Sequence, residues 1–475
     1  MPGRFLNTFK PVTKIMPEVK APERRIGFTE KLVWTAIVLV VYFVMTEIPI
    51  YGATTSGTQD PYFYLRVLFA STRGSLMELG IQPIVTAGMI IQLLQGSGMI
   101  GVNQSNPDDR ATLAGITKFF SILMTTFLAI AYIIGGAYGT GLSIQKSLVI
   151  FAQLFVAGMI VMLLDELLQK GWGLGSGISL FIAAGVSQKI IWDIFLPLSI
   201  TADGKAWGAV IGYFQSLLGG ENALTAFVYR SRVDEPTMLG LVATIIVLLV
   251  VVFFENLKVE IPLSYAKYRG FRSNYPIKFL YVSNIPVILV SSLFMDFYFL
   301  TQIVWSRFNI DNSNVWLNLV GTFNATNNEP VGGIAYYITS PQNFSQFLTA
   351  PARGLVYAGL LVGLCVLFSV IWVEVGGLGP NAVAEQLVDS GMQIPGFRRS
   401  VKPIQEVLER YIPTVTVLGA IVVGVIASFA NFLGVFGSGM GILLTVGVLY
   451  QYYQIIAQEQ LTEMYPMFRR IFGME

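Results

Sequence analysis

Ten apolar stretches of about twenty residues divide this 475-residue chain, at 32–51, 77–96, 117–137, 145–167, 175–196, 238–256, 279–303, 353–375, 411–430 and 437–457. Each is long enough, as a helix rising about 1.5 Å per residue, to cross a hydrocarbon layer of about 30 Å. The pattern predicts an all-α polytopic membrane protein with ten transmembrane helices. One further stretch fits neither a span nor an ordinary loop. Residues 58–76 include Pro61-Tyr-Phe-Tyr-Leu-Arg66-Val-Leu-Phe-Ala70, too short and too charged to cross. Such a segment beside a true span is either a surface-lying amphipathic helix or a short helix folded back into a cavity.

Charge orients the spans. With the N-terminus in the cytoplasm, 21 of the 30 Lys/Arg fall on the cytoplasmic side, and both termini are expected there. Two cytoplasmic loops are rich in basic residues. The 257–278 loop carries Lys258, Lys267, Arg269, Arg272 and Lys278, and the 376–410 loop carries Arg398, Arg399, Lys402 and Arg410. They serve to set topology, to attract anionic lipid, or to dock an acidic partner such as ribosomal RNA. The non-cytoplasmic segments 197–237 and 304–352 are long and polar, and Asn324 and Asn343 there match an N-glycosylation acceptor pattern. The first 31 residues carry seven Lys/Arg and no apolar core, so the first span is expected to be retained rather than cleaved.

The order of elements suggests an internal repeat. Spans 1–5 (32–196) and spans 6–10 (238–457) are joined by an external linker, 197–237, and followed by a cytoplasmic tail, 458–475. The fifth span of each half is entered through similar glycines, Gly173-Leu-Gly-Ser-Gly-Ile178 and Gly437-Ser-Gly-Met-Gly-Ile442. The second span of each half carries a proline, Pro83 or Pro286. Halves with odd numbers of spans run in opposite senses, and interrupted spans at matching places point to a central passage between them.

Composition narrows the chemistry. The chain contains no histidine and one cysteine, Cys365, which removes His-based catalysis and an internal disulfide. No catalytic residue, metal or cofactor is expected. Intramembrane carboxylates are few, and Glu47, Asp165, Glu166, Glu255 and Asp296 are read as lying near span ends, which speaks against ion-coupled transport. Candidate passage residues are aliphatic instead. Ile81 with Val85, and Ile178 with Ile182, lie one helical turn apart, and Ile288 and Leu444 would complete an apolar ring. Ordinary core packing is the simpler account of each one alone. Thr86, Asn284 and Glu374 are polar residues on spans 2, 7 and 8 that would latch those spans by hydrogen bonds, or bond locally. A secondary transporter of a small solute is the alternative, since it too is built on inverted repeats.

Several stretches together resemble one family. They are Arg73-Gly-Ser-Leu-Met-Glu-Leu-Gly80 with Pro83-Ile-Val-Thr-Ala-Gly88, Leu163-Leu-Asp-Glu166, Gly173 to Phe181, Val259-Glu-Ile-Pro262 and Tyr275-Pro-Ile-Lys278. In this order along the chain they resemble the large channel-forming subunit of SecY-type protein translocons, and the wording of 84–92 and 281–288 looks archaeal. The resemblance implies an hourglass channel between two pseudo-symmetric halves. Its ring would map to Ile81, Val85, Ile178, Ile182, Ile288 and Leu444. A plug at about 62–73 would include Tyr62, Phe63, Tyr64, Leu65, Arg66, Val67, Leu68, Phe69 and Ala70. The resemblance also implies a lateral gate of spans 2, 3, 7 and 8 that opens to membrane lipid. Lys267, Arg269, Arg272, Arg398, Arg399 and Lys402 would meet the ribosome and its RNA at the exit tunnel. Partners implied are a SecE-like gamma subunit, a beta-type subunit, signal sequences and nascent polypeptides, all at an archaeal plasma membrane.

Overall fold

A computed structural model describes residues 16–24, 26–53, 66, 69–96, 100, 107–135, 137–138, 142–198, 204–230, 235–265, 272–282, 285–324, 329–341, 343–393 and 400–464. The first half is α1 (Phe28–Glu47), α2 (Gln82–Gly96), α3 (Pro107–Ile134), α4 (Ile144–Leu167) and α5 (Gly177–Phe195). Short helices α6 (Ala209–Leu218) and α7 (Ala223–Val228) lead to α8 (Met238–Asn256), which opens the second half. Strands β1 (Lys258–Tyr265) and β2 (Arg272–Lys278) precede α9 (Ile285–Phe308). On the opposite face lie α10 (Val315–Val320), β3 (Thr322–Phe323), β4 (Pro330–Gly332), α11 (Gly333–Ile338) and α12 (Phe344–Thr349). Helix α13 (Pro351–Val375) returns through the bundle to α14 (Pro380–Asp389) and β5 (Met392–Gln393), and α15 (Val401–Phe432) and α16 (Gly439–Met464) complete it.

Among the described residues, nine helices are long and apolar enough to cross a membrane. The tenth expected span is the shorter α2, of 15 residues. It starts five residues later than the apolar run because the preceding residues are wound into turns. The amide of Thr72 donates to Met77 O at 3.1 Å, and that of Ile81 donates to Phe69 O at 2.9 Å. Helix α9 likewise starts six residues after its apolar run. Phe279 N is bonded to Leu257 O at 2.8 Å, and Pro286 stands in the first turn, where its missing N–H costs nothing. Both prolines therefore open their helices rather than interrupt them.

Helix α15 begins ten residues before its predicted span and places Lys402 in its first turn rather than in a loop. Its early part is amphipathic. Ile404, Leu408, Ile412 and Val415 line one buried face against Ile261, Ile277, Val373, Val383 and Leu387. A search for uniformly apolar runs passes over such a segment. Helix α16 similarly runs on to Met464 inside the expected tail. The strands too were not foreseen. β1 pairs antiparallel with β2 from Lys258↔Lys278 to Ser264↔Arg272, and β5 adds to β1 at Ser264↔Gln393. One small sheet thus joins the two basic connections on the same face of the bundle.

The two halves meet along two seams. At the back, α16 packs on α5 and α1. Tyr452 donates to Leu174 O at 3.0 Å, Lys31 pairs with Glu459, and Gly437 and Gly441 pack against Val186. At the front, α2 and α3 face α9 and α13.

Candidate functional site

The six predicted ring residues all belong to the first two turns of four helices or to the turn just before one. Ile81 directly precedes α2, and Val85 lies in its first turn, its amide bonded to Ile81 O at 3.1 Å. Ile178 and Ile182 open α5, Ile288 opens α9, and Leu444 lies in the second turn of α16. Ile81, Val85, Ile182 and Leu444 are buried in the main apolar cluster, and Ile178 and Ile288 pack against it.

Side chains from preceding helices fix where α5 and α16 start. Asp165 of α4 accepts from Ile178 N at 3.1 Å and from Ser176 Oγ at 3.2 Å. In the other half, Asn431 of α15 accepts from Gly439 N at 2.8 Å. Each orphan amide at a helix N-terminus finds an oxygen acceptor, from the matching helix of its half. The repeat therefore extends to the residues that set the ring's position. Only the glycine patterns announced this in the sequence, because a cap supplied from another helix has no fixed spacing.

The short segment before α2 is folded inward. Tyr62, Phe63, Tyr64, Leu65, Val67 and Leu68 lie outside the described residues, whereas Arg66, Phe69 and Ala70 are described and buried. Phe69 is fully buried in the same cluster as the ring residues. Arg66 Nη1 meets Glu78 Oε1 at 2.6 Å, with side chains 6% and 2% exposed, and the guanidinium lies 5.8 Å from the Tyr132 ring centre. Glu78 also accepts from Gly74 N, and Ser71 Oγ donates to Glu78 O. Ala70 touches α5 where Gly185 leaves room, at 3.6 Å from a Cβ position there.

Gly80 makes this fold possible. Its φ is +54°, and a Cβ there would stand 2.2 Å from Phe69 O. Gly80→Ala should cost roughly 1–2 kcal/mol in backbone strain, besides the clash, and displace Phe69. Thermal unfolding in detergent, together with faster cysteine-reagent labelling of a Phe69→Cys reporter, would register it. An unchanged midpoint and labelling rate would refute this account of the turn.

The front seam has one buried polar cluster. Asp296 sits in the middle of α9, not near a span end as the sequence suggested, because α9 runs on to Phe308. Its carboxylate accepts from Gln82 Nε2 at 2.8 Å and from Thr86 Oγ1 at 2.9 Å, and Thr86 also shares a 2.8 Å hydrogen bond with Ser292. Of the predicted latch, Thr86 does bridge α2 to α9, but its partners are Ser292 and Asp296. Glu374 is exposed in the last turn of α13, and Asn284 lies outside the described residues. Beside the cluster, Met89, Leu93, Leu289, Phe368 and Trp372 make a mostly apolar contact between α2, α9 and α13 that is packed too closely to hold even a water molecule.

The two lysines at the ends of the first basic connection are paired. Lys258 pairs with Glu260 at 2.9 Å, and its ammonium holds that carboxyl below the usual glutamate range. Lys278 reaches Glu255 at 3.6 Å and lies over the Tyr450 ring. Arg272 opens β2, and Lys402 is exposed on α15. Lys267, Arg269, Arg398 and Arg399 lie outside the described residues.

Two inverted halves, buried aliphatic residues where their helices begin and a segment folded in against the same cluster are the arrangement of a gated membrane channel. Comparison with known proteins agrees. The SecY family profile matches residues 75–453, and the profile for the plug domain of Sec61p matches residues 40–74. The chain is 43% identical to the protein translocase subunit SecY of Pyrococcus furiosus over 96% of its own length and 97% of the relative's. It superimposes on a protein-conducting channel with TM-score 0.81 and 37% identity, covering 96% of this chain and 98% of that one. Sec61 in the canine ribosome–channel complex of the endoplasmic reticulum gives TM-score 0.79 at 36% identity, with the same coverage. The chain belongs to the SecY family.

Proposed function

We propose that this chain is the channel-forming subunit of a Sec translocon, a passive conduit for signal-bearing polypeptides. The observation that supports this reading is the burial of Ile81, Val85, Ile182 and Leu444 with Phe69 in one apolar cluster, against which Ile178 and Ile288 pack. A ring of Ile81, Val85, Ile178, Ile182, Ile288 and Leu444 would exclude ions by dewetting and still deform around a passing chain. Segment 62–73 is the plug that stops it at rest. Signal sequences and transmembrane segments enter lipid through the front seam when α2 parts from α9, which would expose the apolar side chains packed beside Trp372.

Both termini and the basic connections face the cytoplasm of an archaeal cell. There the joined β1–β2 hairpin and the 376–410 connection meet ribosomal RNA through Lys267, Arg269, Arg272, Arg398, Arg399 and Lys402. A related chain is described in a ribosome–channel complex, which supports this assignment. A SecE-like gamma subunit clamps the halves, and a beta-type subunit binds at the edge. The chain itself makes and breaks no bonds, and the ribosome or another partner supplies the energy.

A photoreactive residue at Ile178 tests the proposal. Reconstituted channel is presented with a ribosome bearing a stalled, signal-carrying chain. Crosslinks to the nascent chain that vanish when the signal is made polar are expected. Their absence while the ribosome is bound would assign the ring to packed core.

A further inference from the structure

On the face opposite the basic sheet, α9 does not simply end. Leu300, Val304 and Phe308 recur every fourth residue along it, and Leu300 and Phe308 are exposed. These positions share one helix face, so the lipid-facing side of α9 reaches its final residue. The exposed apolar surface continues past the helix end through Ile310 to Val315, Trp316 and Leu319 of α10. Val315 is 73% exposed, Trp316 79% and Leu319 61%.

These side chains are held outward by a built support. Trp305 Nε1 of α9 donates to Asn312 Oδ1 at 2.9 Å. Asn309 Nδ2 donates to Asn318 Oδ1 at 2.8 Å and its Oδ1 accepts from Asn314 N at 3.0 Å. Asn318 Nδ2 returns to Asn312 O at 2.9 Å, and Asn314 Oδ1 accepts from Trp316 N at 3.1 Å. Four asparagines thus fasten α10 to the end of a membrane helix. These bonds engage the four asparagine side chains within the turn, and α10 itself presents an uncharged outer surface of two aliphatic side chains and an indole.

We infer that α10 is an interfacial anchor, seating Val315, Trp316 and Leu319 in the outer headgroup–acyl boundary of the bilayer. Lipid is favoured as the occupant because the surface is continuous with the lipid-facing stripe of α9. A tryptophan with an apolar body and one N–H donor also suits that depth. The charges nearest it, Arg307 in the last turn of α9 and Asp311 between α9 and α10, are both exposed. The anchor sits at the end of the helix that carries Asp296, and so fixes one wall of the front seam relative to the membrane surface. It rests on α9 spanning the bilayer, not on what the channel conducts.

Site-directed spin labelling tests the anchor. Cys365 is the only cysteine, so Cys365→Ala gives a clean background for Trp316→Cys, Leu319→Cys and Leu300→Cys in the full chain in liposomes. Accessibility to oxygen and to a water-soluble nickel chelate is read at each site. Labels at 316 and 319 should report about 5–10 Å of burial below the headgroup boundary, and the label at 300 the hydrocarbon interior. Water-like accessibility at 316 and 319, with 300 in hydrocarbon, overturns the anchor. Exclusion of both reagents there overturns it in favour of a protein contact, such as a second copy. Water-like accessibility at 300 overturns the placement of α9 itself.

Discussion

Glu78→Ala should make the resting channel leak ions. The carboxylate is the partner of a guanidinium that is almost completely buried, and both Gly74 N and the Ser71 hydroxyl bond to the same residue. Removing one member of a buried ion pair leaves the other charge uncompensated, at a cost of about 3–5 kcal/mol. Arg66 can relieve that cost only by reaching water, and the chain connects it within a few residues to Phe69, against the ring cluster. The loss therefore falls on the seated state of the plug. At about 1.4 kcal/mol per tenfold, the unseated population rises roughly 10²–10⁴-fold. Chloride efflux from liposomes containing the chain with its copurifying subunits would show it. A double variant, Arg66→Met with Glu78→Leu, should restore most of the seal, since apolar replacement of a buried pair is often neutral. A tight seal in the single variant, with the chain still folded, would show that the pair does not hold the plug.

The sequence announced this pair only as an oddity, one arginine in a short apolar segment. Its partner is twelve residues away across a turn in which Ala70 and Gly74 take left-handed backbone conformations. The same limit recurs elsewhere. The helices that cross the bilayer were legible because about twenty apolar residues have few other uses. Asp296 was misjudged because a helix end cannot be read from hydropathy when α9 runs beyond its apolar stretch to Phe308. The three-stranded sheet was missed because β5 is two residues long and pairs with a strand more than a hundred positions earlier. Interactions between elements have no period, and these are what join the two basic connections and close the seam.

Asp296→Leu should lower the hydrophobicity a signal sequence needs to open the front seam. In the closed seam the carboxylate accepts from Gln82 and Thr86, both on α2, two of the side-chain hydrogen bonds that tie α2 to α9. The Thr86–Ser292 bond survives the substitution. An apolar helix entering between α2 and α9 separates Asp296 from both donors and leaves an ionised group against hydrocarbon. Leucine removes that penalty from the open state and the two bonds from the closed one, so both effects favour opening. Interhelical bonds in membranes contribute about 0.6–1.7 kcal/mol each, giving a shift of about 1–3 kcal/mol toward the open seam. The opposing effect is relief of carboxylate dehydration in the closed seam, which the donors from Gln82 and Thr86 already offset. Translocation should be measured for a series of signals shortened by successive leucines. In the variant, signals one or two leucines weaker should be accepted, and Asp296→Asn, which keeps an acceptor oxygen, should lie between it and the parent. If the variant instead demands stronger signals, dehydration of the carboxylate outweighs its bonds, and Asp296 holds the seam ready to open rather than shut.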